Sequence, residues 1–374
     1  MWARRDRNIK HVTIYREESR FAGWPANYGI WSWGDEIVVG FALGYHKTEG
    51  GFHARDRDRP FVAMQARSLD GGRTWQVREM PCRTPGNRSF SADEHMRSGL
   101  GVAHALASGL EHAPVDCPGG INLAHPDFAL MCARTGLGAG TVSWFYTSYD
   151  RCRTWDGPFS LPTFGQAGIE ARTDYLVSGP DECTLFLTAS KVSGGEGGSI
   201  LCARTTDGGK TFRVVSRVAE ADAGFVIMPA SVRLSESRVL VAVRVRGGCG
   251  EFTMAQHWID LYASDDNGTT WEYLSRPVPD TGMGGNPPAL IRLHDGQLCL
   301  AYGYRAAPYG IQARLSSDGG ATWGDAIVLR DDAGNHDIGY PRTVQRPDGT
   351  IVTVYYYNDR PDGERYVAAT LWRP

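Results

Sequence analysis

Nothing in this 374-residue chain is apolar for long enough to cross a membrane as a helix, which takes about 20 consecutive residues. An excess of one charge is missing too: 39 basic residues stand against 42 acidic ones, a formal net charge of −3. That balance argues against nucleic acid or an anionic membrane as the main partner. No C-x-x-C pair occurs and no two cysteines or histidines stand at zinc-ligand spacing, so no metal or other cofactor is expected. The opening Met1 to Arg7 is basic but leads into no apolar stretch, so we expect no secretory leader and a cytoplasmic location. In that reducing setting the eight cysteines (Cys82, Cys117, Cys132, Cys152, Cys183, Cys202, Cys249 and Cys299) are expected as mostly free, partly buried thiols.

What is present is glycine (46), tyrosine (16) and tryptophan (11), the composition of a turn-rich β protein. The chain also repeats itself. Ser68 to Trp75 reads SLDGGRTW, and the pattern S/T-x-D-x-x-x-T-W/F returns at Ser148 to Trp155, Thr205 to Phe212, Ser264 to Trp271 and Ser316 to Trp323. In such an octet the Asp carboxylate accepts backbone N–H groups across a hairpin turn. Gly or Asn tolerates positive φ, and the aromatic tucks under the next hairpin. Asp70, Asp150, Asp207, Asp266 and Asp318 are therefore read as turn residues and not as catalysts.

Strand-like runs precede each octet. A second unit, strand, tight turn, strand, recurs at Pro229 to Val243, Pro288 to Tyr302 and Pro341 to Tyr355, with a looser copy at Pro25 to Phe41. Each repeat is thus about four strands, one propeller blade. Six blades follow, the last running from Tyr340 to Trp372 without an octet. Its fourth strand is expected from Ile9 to Tyr15, which would close the ring and remove a free edge. The fold class is an all-β, six-bladed β-propeller occupying residues 1–374 as a single domain. One long insertion is expected at about 76–124, with a short helix near Leu100 to Leu110.

In this architecture the starts of first strands and the ends of second strands line one mouth of the central channel. These segments supply Trp24, His125, Arg172, Asp174, His336, Tyr340 and Arg342, and then His46, Arg244, Tyr304 and Arg305. Aromatic rings stack on pyranose faces and arginine binds carboxylates through a bidentate fork, so the set suits a sugar bearing a negative charge.

The five octets and the blade count resemble the sialidase (neuraminidase) superfamily, whose octet is the Asp-box or BNR repeat. The resemblance covers nearly the whole chain. It implies a Tyr nucleophile assisted by Glu, an arginine triad and an Asp acid/base on a first-blade loop. Tyr340 and Arg244 fall on the family's positions, and Asp56 and Asp58 lie about where the Asp belongs. Met228 stands where the assisting Glu is expected, and Gly23-Trp24-Pro25 replaces an R-I-P triplet that carries the first arginine. In blade 5 no arginine opens the first strand, and Arg305 ends the second.

Three functions are compatible with these residues. The first is an exo-acting, sialidase-like glycosidase on an acidic or polar sugar, with Asp56 or Asp58 as acid and Tyr340 as nucleophile or stabiliser. His336, Asp174 or Asp337 would replace the missing Glu as base. The second is a lyase cleaving a uronic-acid glycan by β-elimination, drawing on His46, His53, His125, His336 and Tyr340. The third is a propeller that binds glycans without turning them over. In each the partner is a glycan or small sugar.

Overall fold

The structure, a computed structural model, describes residues 9–88, 96–109, 111–193, 197–248 and 256–374. It is a ring of six antiparallel blades. Blade 4 has the plain form: Phe225–Arg233, Val239–Arg246, His257–Ser264 and Glu272–Val278 lie side by side from the channel outwards. Blade 5 repeats it with Ala289–Arg292, Leu298–Tyr304, Gly310–Ser316 and Ile327–Arg330. Second strands such as Val239–Val243 are buried on both sides, because each blade is sandwiched between two others. Continuous apolar runs therefore replace strict alternation there.

The expected closure is present. Lys10–Tyr15 pairs antiparallel with Tyr366–Trp372, so the N-terminal strand is the outermost strand of blade 6. That blade is completed by Gly339–Gln345 and Ile351–Tyr357. The expected helix is present as the six residues Val102–Ala107. The insertion begins later than expected, since Gln76–Glu79 is the outer strand of blade 1. The seven described cysteines are free, and Cys249 lies outside the described residues.

All five octets close the turn between third and fourth strands in the same way. In the first, Asp70 Oδ1 accepts the N–H of Thr74 at 2.9 Å and Oδ2 accepts its hydroxyl at 2.7 Å, while Ser68 Oγ accepts the N–H of Gly72 at 2.7 Å. Asp150, Asp207, Asp266 and Asp318 repeat the pattern. The first, third and fourth octets each donate a backbone N–H to the turn between their blade's first and second strands: Gly71 to Asp35, Gly208 to Asp181, Asn267 to Ser237. The octets thus mark the face opposite the ends of the second strands.

That marker corrects one assignment. Arg151 of the second octet donates to Asp127 O in the same manner. His125-Pro126-Asp127 is therefore a first-to-second turn, and the strand after it, Ala129–Arg134, is a second strand. Blade 2 has no first strand among the described residues. His125 sits on the octet face against Tyr149, away from the channel mouth.

Candidate active site

The first strands of blades 1, 4 and 6 break at the same place. Trp24, Met228 and Tyr340 each precede proline and each have positive φ, at 58°, 56° and 50°. Residues before proline normally stay extended, and a non-glycine in the left-handed region costs on the order of 1–3 kcal/mol. In blades 4 and 6 the register with the second strand slips there, between Ile227 and Ala230 and between Gly339 and Arg342. In blades 1 and 3 the first strand divides into two pieces, Arg20–Gly23 with Ile30–Trp33, and Ile169–Glu170 with Tyr175–Val177. Each break turns side chains into the channel mouth.

Tyr340 stands at the centre of the resulting cluster. Arg244 Nη1 donates to its hydroxyl at 3.3 Å. Arg244 also reaches Gly284 O and lies over Phe225, with Met228 Sδ at 3.6 Å. Arg305 is 1% exposed, and its guanidinium lies 5.5 Å from the Tyr340 ring. It donates to the carbonyls of Ile338 and Gly285 and to the hydroxyl of Tyr356 at 2.8 Å.

Tyr356 in turn donates to Asp337 Oδ1 at 2.7 Å. The fully buried Asp337 collects three further donors: His53 Nδ1 at 2.6 Å, Ala54 N at 2.9 Å and Arg365 Nε at 2.9 Å. Despite burial, His53 and Arg365 hold this carboxyl well below its usual range. With Nδ1 directed at Asp337, the His53 ring is held in one orientation. Its ring stands edge-on to Trp24 and to Tyr340, with centroids 5.4 and 6.3 Å apart. Beside it Phe52, 39% exposed, covers Arg305 and packs on His336.

The first-blade loop between Tyr45 and Pro60 therefore delivers His53 to Tyr340, and not Asp56 or Asp58. Asp58 is exposed and pairs with Arg97 at 3.0 Å and Lys47 at 3.8 Å, while Asp56 caps the backbone of Asp58. His336 remains at the mouth, its Nε2 on Phe52 O at 3.2 Å, with burial holding its pKa down. Arg172, Asp174 and Arg342 lie in the channel. Arg172 donates to Asn27 Oδ1, Asp174 takes the N–H and hydroxyl of Ser231, and Arg342 bridges the carbonyls of Ala26 and Thr173. Tyr304 alternates away from Arg305 and packs between blades 4 and 5. His46 bridges to Arg55 at the base of the loop. At Gly23, where the resembling family has arginine, a Cβ would stand 2.7 Å from the Phe21 ring. A longer side chain there would have to displace the Phe21 ring.

Of the cluster's members, the sequence offers His53 only for elimination, and Tyr356 only within the run Tyr355-Tyr356-Tyr357-Asn358 at the end of a second strand. Period-two alternation would have found Tyr356, since Tyr355 bonds Thr370 and Tyr357 bonds Asp332 while Tyr356 faces the channel. His53 sits in a loop without any repeat.

Six blades, five octets and a tyrosine–arginine cluster at the channel mouth define a sialidase-like propeller. The chain matches the family model described as "BNR repeat-like domain" over residues 128–353 and belongs to that family. No curated protein sequence matches it. Among solved structures, a Dyadobacter fermentans protein of unknown function superposes with a TM-score of 0.70 at 21% identity, covering 98% of this chain and 99% of its own. The α-L-arabinofuranosidase of Fusarium graminearum with arabinobiose gives 0.59 at 13% identity over 97% of both chains. The NanB sialidase of Streptococcus pneumoniae gives 0.60 at 12% identity, over 97% of this chain and 70% of its own. At these identities the likeness is one of fold.

Proposed function

We propose that this protein is a glycoside hydrolase acting on a sugar that carries a negatively charged group, with its reacting bond placed between Tyr340 and His53. One observation carries the reading. Arg244 and Arg305 flank Tyr340, are 7% and 1% exposed, and have no carboxylate in ion-pair distance among the described residues. Arg244 Nε has no acceptor among them. Buried guanidinium groups without counter-charge are unfavourable, and the carbonyls around them offset only part of that. An anionic substrate completes the site and is oriented by it.

In this reading Tyr340 Oη faces the anomeric carbon as nucleophile or electrostatic stabiliser. His53 transfers the proton between water and the leaving oxygen, its ring oriented by Asp337. Phe52 offers a stacking face for the ring. The solved structures of the same fold that are named as sialidases, an arabinofuranosidase and an arabinanase support a glycosidase in general and do not choose its sugar.

A β-elimination reading has its own support: Met228, and not a carboxylate, lies against Arg244 beside Tyr340, and histidine, tyrosine and arginine are the groups a lyase uses. One experiment separates the two. Aryl sialosides, uronides and arabinofuranosides, and uronic-acid oligosaccharides, are incubated with the wild type and with Tyr340→Phe. Release of the aryl group by wild type alone supports hydrolysis, and an ultraviolet-absorbing unsaturated product supports elimination. Affinity with no product at any pH makes the protein a binding propeller, and equal rates for the two proteins overturn the role of Tyr340.

A further inference from the structure

The first-blade loop has two faces. One presents Phe52 and His53 to Tyr340. The other lines a separate cavity of about 550 Å³, between this loop and Arg97-Ser98. Glycines 50 and 51 form part of its wall, and no aromatic side chain lines it. Its charged residues are Lys47, Arg55, Arg57 and Arg97 against Glu49 and Asp58, four positive and two negative. Asp58 is shared between Arg97 and Lys47. Arg55 is buried, with Nη1 on the carbonyls of His53 and Gly50. Arg57 is exposed and has no ion-pair partner among the described residues.

A polar cavity of this size with surplus positive charge fits a hydrated anionic unit and not an apolar ligand. It is also close to the centre: four residues of extended chain, from His53 to Arg57, span at most about 14 Å. We infer that this cavity is a second glycan subsite, which holds a carboxylate or sulfate ester on the sugar next to the one at Tyr340. The inference rests on the proposed function in that the first sugar is taken to lie between Tyr340 and His53. It gives the substrate a class, an oligosaccharide with negative groups on neighbouring residues. Arg57 supplies the free charge. Arg97 joins it by exchanging Asp58 for the ligand, and Arg55 ties the bound unit to the His53 backbone.

The test is calorimetric binding to the Tyr340→Phe protein, which needs no turnover. Three probes are used: glucuronate, a disaccharide of two uronates, and a uronate disaccharide whose second unit is sulfated and otherwise neutral. A fourth, with a neutral unsulfated second unit, is the control. The expected result is that at least one doubly charged disaccharide binds tenfold or more tightly than the control, the better of the two identifying carboxylate or sulfate. In Arg57→Ser/Arg97→Ser that advantage disappears while glucuronate affinity is unchanged. Both side chains are exposed, so the variant folds, and Arg57→Glu provides a second reading by lowering the advantage further. An advantage that survives the double substitution, or a control that binds as well as the charged disaccharides, overturns the subsite. Loss of glucuronate binding in Arg305→Met with the charged-disaccharide advantage intact supports the subsite. No glucuronate binding by any protein, with no advantage for charge, overturns it along with the function proposed for the Tyr340 site.

Discussion

At the scale of single residues, the candidate site joins a tyrosine and two arginines that have no carboxylate partner among the described residues to a histidine–aspartate pair through one buried phenol. Tyr340→Phe removes a single oxygen and is expected to lower turnover at least a hundredfold with an unchanged melting temperature, checked by steady-state assay and thermal denaturation. His53→Gln keeps a donor toward Asp337 and loses the base. It is expected to reduce turnover by roughly 10²–10⁴ and to flatten the limb of the pH–rate profile that the histidine sets. An unchanged profile would exclude His53 as the proton carrier. Tyr340 and Arg244 were legible in the sequence because each stands at a fixed distance from a repeated turn. Asp56 and Asp58 were favoured over His53 because a loop outside the repeat has no register, and only its path across to Asp337 decides which side chain points inwards.

At the scale of elements, the octets are the most legible feature and the least chemical. Their hydrogen bonds are local, so eight residues suffice to specify them. Asp150→Ala removes acceptors for the Thr154 N–H and hydroxyl and is expected to destabilise the protein by about 2 kcal/mol in a denaturant titration, with turnover unaffected. The second octet lacks glycine, and Arg151 and Cys152 hold left-handed φ of 57° and 63°. Ion pairs from Arg151 tie that turn to Asp127 of its own blade and to Glu36 of blade 1. What was not legible is that blade 2 has no first strand among the described residues. Counting strands backwards from an octet presumes that none is absent, and His125 was placed on the wrong face for that reason.

At the scale of the whole molecule, ring closure and the channel govern stability. Val367, Ala369 and Leu371 are buried where Lys10–Tyr15 covers the last blade. Deleting residues 9–15 is expected to expose a long β edge, seen as a lower melting temperature and concentration-dependent light scattering. The channel adds a pH dependence. Burial raises the Asp174 carboxyl from 3.8 to about 7, although Arg342 opposes this. A raised carboxyl contributes stability in its protonated form, fully present below pH 3.8 and lost as pH rises through 7. Asp174→Asn keeps an acceptor for Ser231 and cannot ionise. Its melting temperature relative to wild type is expected to climb between pH 4 and 7 and then level off. A difference independent of pH would mean that Asp174 stays ionised when folded. Closure by the N-terminal strand was readable from the unpaired sixth repeat. The channel polar groups were readable as residue types, but their pairing across blades 1, 3, 4 and 6 depends on the ring being closed.

The breaks that stand before proline carry a consequence for how such a protein acquires new reactions. Trp24, Met228 and Tyr340 share one backbone shape but no side-chain chemistry, so these places behave as sockets that accept different reactive groups at a constant angle to the channel. Innovation then proceeds by exchanging the plug and leaving the scaffold alone. Met228→Glu would set a carboxylate against Arg244 beside Tyr340 without remodelling a strand, which makes the three sockets natural starting points for redirecting the propeller in the laboratory.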